Sequence, residues 1–132
     1  MTRQLIHAYY RAFNARDYTS MLSLLSDDVV HDVNEGEREV GRDRFVAFLE
    51  RMDKAYRETV ADLVVMGDDA AARFAAEFTV LGRYLQSEPG LPEASGQSYR
   101  LPAGGFFEVD EGRITRVTTY YNLRAWLKQV DG

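Results

Sequence analysis

The sequence predicts an α+β fold: a curved, largely antiparallel sheet wrapped around N-terminal helices, with a cone-shaped pocket between them. Three observations predict it. Helical periodicity dominates the first part of the chain and β-type alternation the remainder, and such segregated runs are the mark of α+β architecture. The 132 residues, 45% hydrophobic and 28% charged, suit one globular domain spanning 1–132, with no linker and no internal repeat. Eight tyrosines and seven phenylalanines make the interior rich in rings, and each tyrosine brings a polar tip to it.

The elements follow in order. Thr2 can cap a first helix, in which Leu5, Ile6, Tyr9, Ala12 and Phe13 recur at helical spacing. Asn14-Ala15-Arg16-Asp17 ends it. Asp17 can cap a short second helix with Tyr18, Met21, Leu22 and Leu25 on its apolar side. Ser26-Asp27-Asp28 reads as a turn and Val29–Val33 as a short strand. Asn34 to Gly41 is polar and reads as a loop. Phe45, Phe48, Leu49, Met52 and Tyr56 mark a third helix, supported by Glu50 and Lys54 four residues apart. The period then changes. Val60–Met66 is β-rich, Gly67-Asp68-Asp69 signals a hairpin, and a long strand runs from about Ala70 to Tyr84. Gln86–Gly96 reads as a loop over the domain. Gln97–Val109 and Arg113–Tyr121 are two more strands, joined by Asp110-Glu111-Gly112. Leu123–Val130 completes the chain as a short helix. Gly82, Gly104 and Gly105, inside long strands, suggest bends.

Composition excludes several functions. A net charge of −5 with no basic stripe argues against nucleic acid as partner. No apolar run is long enough to span a bilayer, and the first residues lack the apolar core of a signal peptide, so the expected location is the cytoplasm. With no Cys there is neither a disulfide framework nor a thiolate nucleophile. His7 and His31 stand on different elements without ligand spacing, so no metal site is expected. No glycine-rich phosphate loop precedes a helix, and no cofactor is expected.

The order of elements, with Asn14-Ala15-Arg16-Asp17 and Leu25-Ser26-Asp27-Asp28-Val29, resembles the nuclear-transport-factor-2-like superfamily. Its members include ketosteroid isomerase, limonene-epoxide hydrolase and the SnoaL-type polyketide cyclases. Gly90 to Gly96, Phe106-Phe107-Glu108-Val109, Glu111-Gly112-Arg113-Ile114 and Tyr120-Tyr121-Asn122-Leu123 look like the cyclase branch. The resemblance covers nearly the whole chain and implies a pocket for a small apolar or polycyclic ligand with a carbonyl. It also implies a homodimer formed through the outer face of the sheet. Carried over residue by residue, it makes Tyr9 an oxyanion donor, as in the isomerase, whose Asp and Tyr chemistry is well described. Val33 stands where the isomerase has its Asp base, and Gly105 where it has its second acid. Thr119 stands where the cyclases have theirs.

What remains for proton chemistry is His31, on the parity of Val29 and Val33 and so on the expected pocket side. A neutral imidazole there can act as base, with Tyr9 donating to the developing enolate oxygen. The plainer reading is a buried, hydrogen-bonded histidine. Asp32 is the competing base, and its ordinary reading is a solvated or ion-paired residue on the outer face. Tyr121 and Thr119 share a face of the last strand, directed inward by the resemblance. Tyr84 and Tyr99 are expected at the entrance under the proline-containing loop, Phe74 and Phe78 in the apolar wall, and Asn34 and Glu35 at the mouth. Three functions fit: a cofactor-free isomerase or cyclase moving a proton alpha to a carbonyl, a non-catalytic binding module for an apolar ligand, or a dimeric scaffold.

Overall fold

In the computed structural model, which describes residues 2–131, the two periodicities of the sequence resolve into helices and strands of one α+β domain. Helix α1 (Thr2–Ala15) buries Ile6, Tyr9, Tyr10 and Ala12 and leaves Arg3 and Arg11 exposed. The Thr2 side chain expected to cap it lies outside what is described. Asp17 does cap α2 (Tyr18–Ser23), accepting from the Ser20 amide at 3.1 Å. Helix α3 (Arg42–Ala55) inserts Phe45 and Leu49 into the core. Helix α4 (Leu123–Val130) starts at an Asn122 cap and buries Trp126 and Val130.

The strands are β1 (Leu25–Val33), β2 (Glu39–Val40), β3 (Tyr56–Asp68), β4 (Arg73–Tyr84), β5 (Gln97–Asp110) and β6 (Arg113–Tyr121). They form one curved, unclosed sheet in the order β2-β1-β6-β5-β4-β3, antiparallel except where β1 runs parallel to β6. The main core lies between this sheet and helices α1 to α3. A second, around Tyr84, Tyr99 and Trp126, lies under α4. Among the described residues no helix is long and apolar enough to cross a membrane.

Four local expectations are corrected. Ser26-Asp27-Asp28 is not a turn but the start of β1, whose register to β6 shifts between Leu25 and Val30. Leu25 therefore opens a strand instead of closing α2, and Arg42 donates to its carbonyl. The expected loop Asn34–Gly41 contains β2, because the chain folds back far enough for Val40 to pair with Val30. Tyr56 begins β3 instead of ending α3.

The β4–β5 ladder runs through Gly82, Gly104 and Gly105 without a register shift, so none of them is a bulge in that ladder. The shifts fall elsewhere, between Ala61 and Val64 in β3 and between Glu108 and Val109 in β5. Two of the glycines make room for tyrosines. A Cβ on Gly82 would lie 2.4 Å from the Tyr99 ring, and one on Gly105 would lie 2.6 Å from the Tyr10 hydroxyl. Asn14, read as a helix breaker, also closes the free edge of β3. Its side chain donates to the Val60 carbonyl at 2.9 Å and accepts from the Val60 amide at 2.8 Å.

Candidate functional site

The bent sheet and the helices on its inner face leave a cavity of about 660 Å³ between them. That volume lies within the range of small-molecule pockets. Apolar side chains from α1, α3, β4 and β5 form its middle, among them Phe13, Phe45, Phe48, Phe78, Val80 and Leu101.

Period-two alternation sends His31 into the cavity and Asp32 away from it. The His31 ring lies against Phe45 at 4.3 Å and edge-on to Phe48 at 4.6 Å between centroids. Among the described residues neither ring nitrogen has a hydrogen-bond partner. Burial in this apolar cage pulls the imidazole down to about 4, against a smaller upward pull from Glu39 and Asp32. His31 is therefore neutral at physiological pH. Asp32 lies on the outer face, where Arg38 holds it through two bonds of 2.8 and 2.9 Å and Thr118 donates at 2.7 Å. These partners, Arg38 first, lower its carboxyl below the usual range.

Tyr9 sits on the inner face of α1, edge-on to Tyr10 and to Phe107. Burial raises its hydroxyl well above the ordinary phenol value, so it stays a proton-bearing donor. Among the described residues its hydroxyl has no hydrogen-bond partner. His31 and Tyr9 both line the cavity. The row of paired residues from His31 passes through Val117 to Phe107, against which Tyr9 packs.

Of the remaining sequence candidates, Val33, Thr119, Tyr121, Phe78 and Glu35 line the cavity. The Tyr121 backbone amide is held by the Asn34 side chain at 2.8 Å. Four candidates stand apart from it, among them Tyr99, which is buried in the second core instead of lining an entrance. Tyr84 is fully buried in the second core, donating to the Pro92 carbonyl at 2.7 Å and accepting from the Glu88 amide at 3.0 Å. It anchors the loop instead of lining an entrance. Phe74 is buried beneath Gly67. Gly105 is covered by Tyr10.

The cavity also holds carboxyl groups that the sequence reading did not single out. Asp53 accepts from Tyr18 at 2.9 Å and pairs with Arg16 at 3.4 Å. Glu88 accepts from Tyr56 at 2.7 Å and pairs with Arg51 at 3.6 Å. Glu58 differs from both. It accepts from Tyr99 at 2.5 Å and has no ion-pair partner among the described residues. Burial drives its carboxyl above the ordinary value, while the Tyr99 bond and the nearby Arg16 oppose the rise. Among the described residues no group of three or more His, Asp or Glu is placed to hold a metal ion.

Comparison with known proteins places this geometry in context. Residues 6–117 match the SnoaL-like domain. A candidate polyketide cyclase from Pseudomonas putida is 55% identical, with 98% of each chain covered and a TM-score of 0.96. One from Xanthomonas campestris is 50% identical over 98% of each chain, with a TM-score of 0.93. One from a Silicibacter species is 51% identical over 99% of this chain and 96% of its own, with a TM-score of 0.96. An epoxide hydrolase from M. tuberculosis, 22% identical with a TM-score of 0.77, covers 98% of this chain and 88% of its own and shares the fold. No curated protein matches the sequence.

Proposed function

The chain belongs to the SnoaL-like domain family, and from that membership we propose that it is a cyclase or isomerase moving a proton alpha to a carbonyl. Its substrate on this reading is a neutral, largely apolar, fused-ring ketone. The observation that carries the reading is that one apolar cavity is lined both by a neutral histidine and by a tyrosine whose hydroxyl has no protein partner among the described residues. The imidazole takes the proton from carbon, and the tyrosine donates to the enolate oxygen as charge develops there.

The low basicity of His31 narrows the substrate. A base whose conjugate acid titrates at about 4 removes a proton only from an activated carbon, flanked by a carbonyl and a second conjugating group. Carbons of that kind recur along a polyketide-like chain. The similarity to candidate polyketide cyclases at 50% identity and above supports the same class.

The test is deuterium exchange at the activated carbon of 2-tetralone, followed by proton NMR. The protein should accelerate the exchange. His31→Ala should slow it by about 10²-fold or more, and Tyr9→Phe by a comparable factor. Wild-type rates in both variants would discard the pair. The same Val33, Gly105 and Thr119 that leave the usual acid positions empty favour a second reading, ligand binding without turnover. That reading prevails if 2-tetralone saturates the protein while its exchange stays at the buffer rate.

A further inference from the structure

Glu58 is a cavity carboxyl that this chemistry leaves unused and that has no ion-pair partner among the described residues, and its surroundings are built around it. Glu58 on β3 is paired across the sheet with Gly82 on β4, and Gly82 with Tyr99 on β5. Any side chain at the middle position would occupy the space of the Tyr99 ring, since a Cβ on Gly82 would lie 2.4 Å from it. Glycine lets Tyr99 lean across one strand and donate to Glu58 Oε2 at 2.5 Å. Trp126 from α4 packs edge-on against the Tyr99 ring at 5.9 Å. The other carboxyl oxygen, Oε1, has no protein partner among the described residues, and Glu58 lines the cavity.

The site also lies away from the first pair. The His31 row crosses β5 at Phe107 and β4 at Phe74, whereas the Glu58 row crosses them at Tyr99 and Gly82. The two rows are eight residues apart on both strands. The apolar wall at Phe78, Val80 and Leu101 lies between them.

We infer that Glu58, positioned by Tyr99, is a hydrogen-bond donor to a second substrate oxygen, so that the substrate carries oxygens at both ends of an apolar ring system. The inference rests on the proton-transfer reading above, which puts the first substrate oxygen at Tyr9, and it makes Glu58 a specificity-determining residue that takes no part in the carbon-proton step.

Several groups surround Glu58. Tyr99 faces it from β5, Tyr121 from β6 and Arg16 from the turn after α1, and Tyr121 is in turn near Glu88 in the loop after β4. Tyr56 lies beside it on β3, and α3 adds Asp53, already paired with Arg16. The α4 contribution is Trp126, which does not titrate. His31 titrates at about 4, below the range used in the test.

The test measures binding and does not require turnover. Trp126, the single tryptophan, lines the cavity and serves as fluorescent reporter. The probes are decalin-1,5-dione, with oxygens at opposite ends, and 1-decalone, with one. At the acidic end of the pH series the diketone should bind about tenfold more tightly, and this advantage should shrink as pH rises and Glu58 ionises. Glu58→Gln keeps a donor and should hold the advantage constant across pH. Glu58→Ala should lose it throughout. Tyr99→Phe removes a bond that favours the carboxylate, so the midpoint of the pH dependence should move upward, a shift that a merely structural Tyr99 would not cause. Equal diketone preference in wild type and Glu58→Ala, or equal pH dependence in wild type and Glu58→Gln, would overturn the inference. A failed exchange experiment with 2-tetralone alters neither outcome, so the two proposals fail separately.

Discussion

At the scale of single residues, the depressed basicity of His31 is also a statement about stability. Its folded value of about 4 lies below its unfolded value of 6.5, so the unfolded chain binds the proton more readily. The stabilisation is fully present above about pH 6.5 and is lost as pH falls through the folded value. At about pH 4.5 the loss from this group amounts to about 2–3 kcal/mol. His31→Phe, with an apolar ring between Phe45 and Phe48, should therefore lose less stability than wild type between neutral pH and about pH 4.5. Urea unfolding at the two pH values measures the difference, and parallel losses would show that the imidazole is not desolvated as described. Alternation alone assigned His31 and Asp32 to opposite faces, because the strand period is two and needs no tertiary information. Glu58 was not legible in the same way. The β-rich composition is plain only from Val60, four residues after β3 begins, although Tyr56, Glu58 and Val60 share one face. Extending that strand backward would have placed one acid among inward-facing residues. Its tie to Tyr99, 41 positions away, is visible only in the folded chain.

At the scale of elements, the helices and long strands were legible because their periodicities persist over many residues. The failures occurred where partners decide the conformation. Strand β2 has two residues and exists through its pairing with β1, and Ser26-Asp27-Asp28 has turn composition inside a strand. Gly82 and Gly104 sit in one ladder with different neighbours. This leads to a contrast within one ladder. Gly82→Ala places a methyl 2.4 Å from the Tyr99 ring and should cost about 1–3 kcal/mol by overpacking. Gly104→Ala meets nothing closer than the Ala76 carbonyl at 3.6 Å and should change stability by less than about 1 kcal/mol. Thermal or urea unfolding distinguishes them. Equal costs would mean that Tyr99 moves aside freely and is not held over Gly82 to reach Glu58.

At the scale of the whole molecule, the outer face of the sheet has a composition that a solitary domain would not need. Val64, Met66, Phe106 and Tyr120 are exposed, and Phe106 and Tyr120 pack edge-on at 5.9 Å. They occupy adjoining rows of the sheet. Met66, Ala75, Phe106 and Thr118 are successive cross-strand partners, and so are Val64, Glu77, Gly104 and Tyr120. Two of the charged groups beside this patch already have partners within the chain, whereas Glu77, inside the second row, has no ion-pair partner among the described residues. Asp32 is held by Arg38 and Thr118, and Glu108 by Arg73 and Arg116. A surface covering the patch would therefore bury apolar area without leaving those charges uncompensated. We propose that a second copy of the chain covers it. A two-fold contact sets the same patch against itself, and the paired charges at its border then need no complementary charge on the partner. The chain should sediment at about twice its 15.1 kDa at micromolar concentration. Phe106→Asp, which buries an unpaired charge only in the dimer, should return it to the monomer while leaving the inner cavity in place. A wild-type chain that sediments as a monomer, or a variant that still dimerises, would move the contact away from this face.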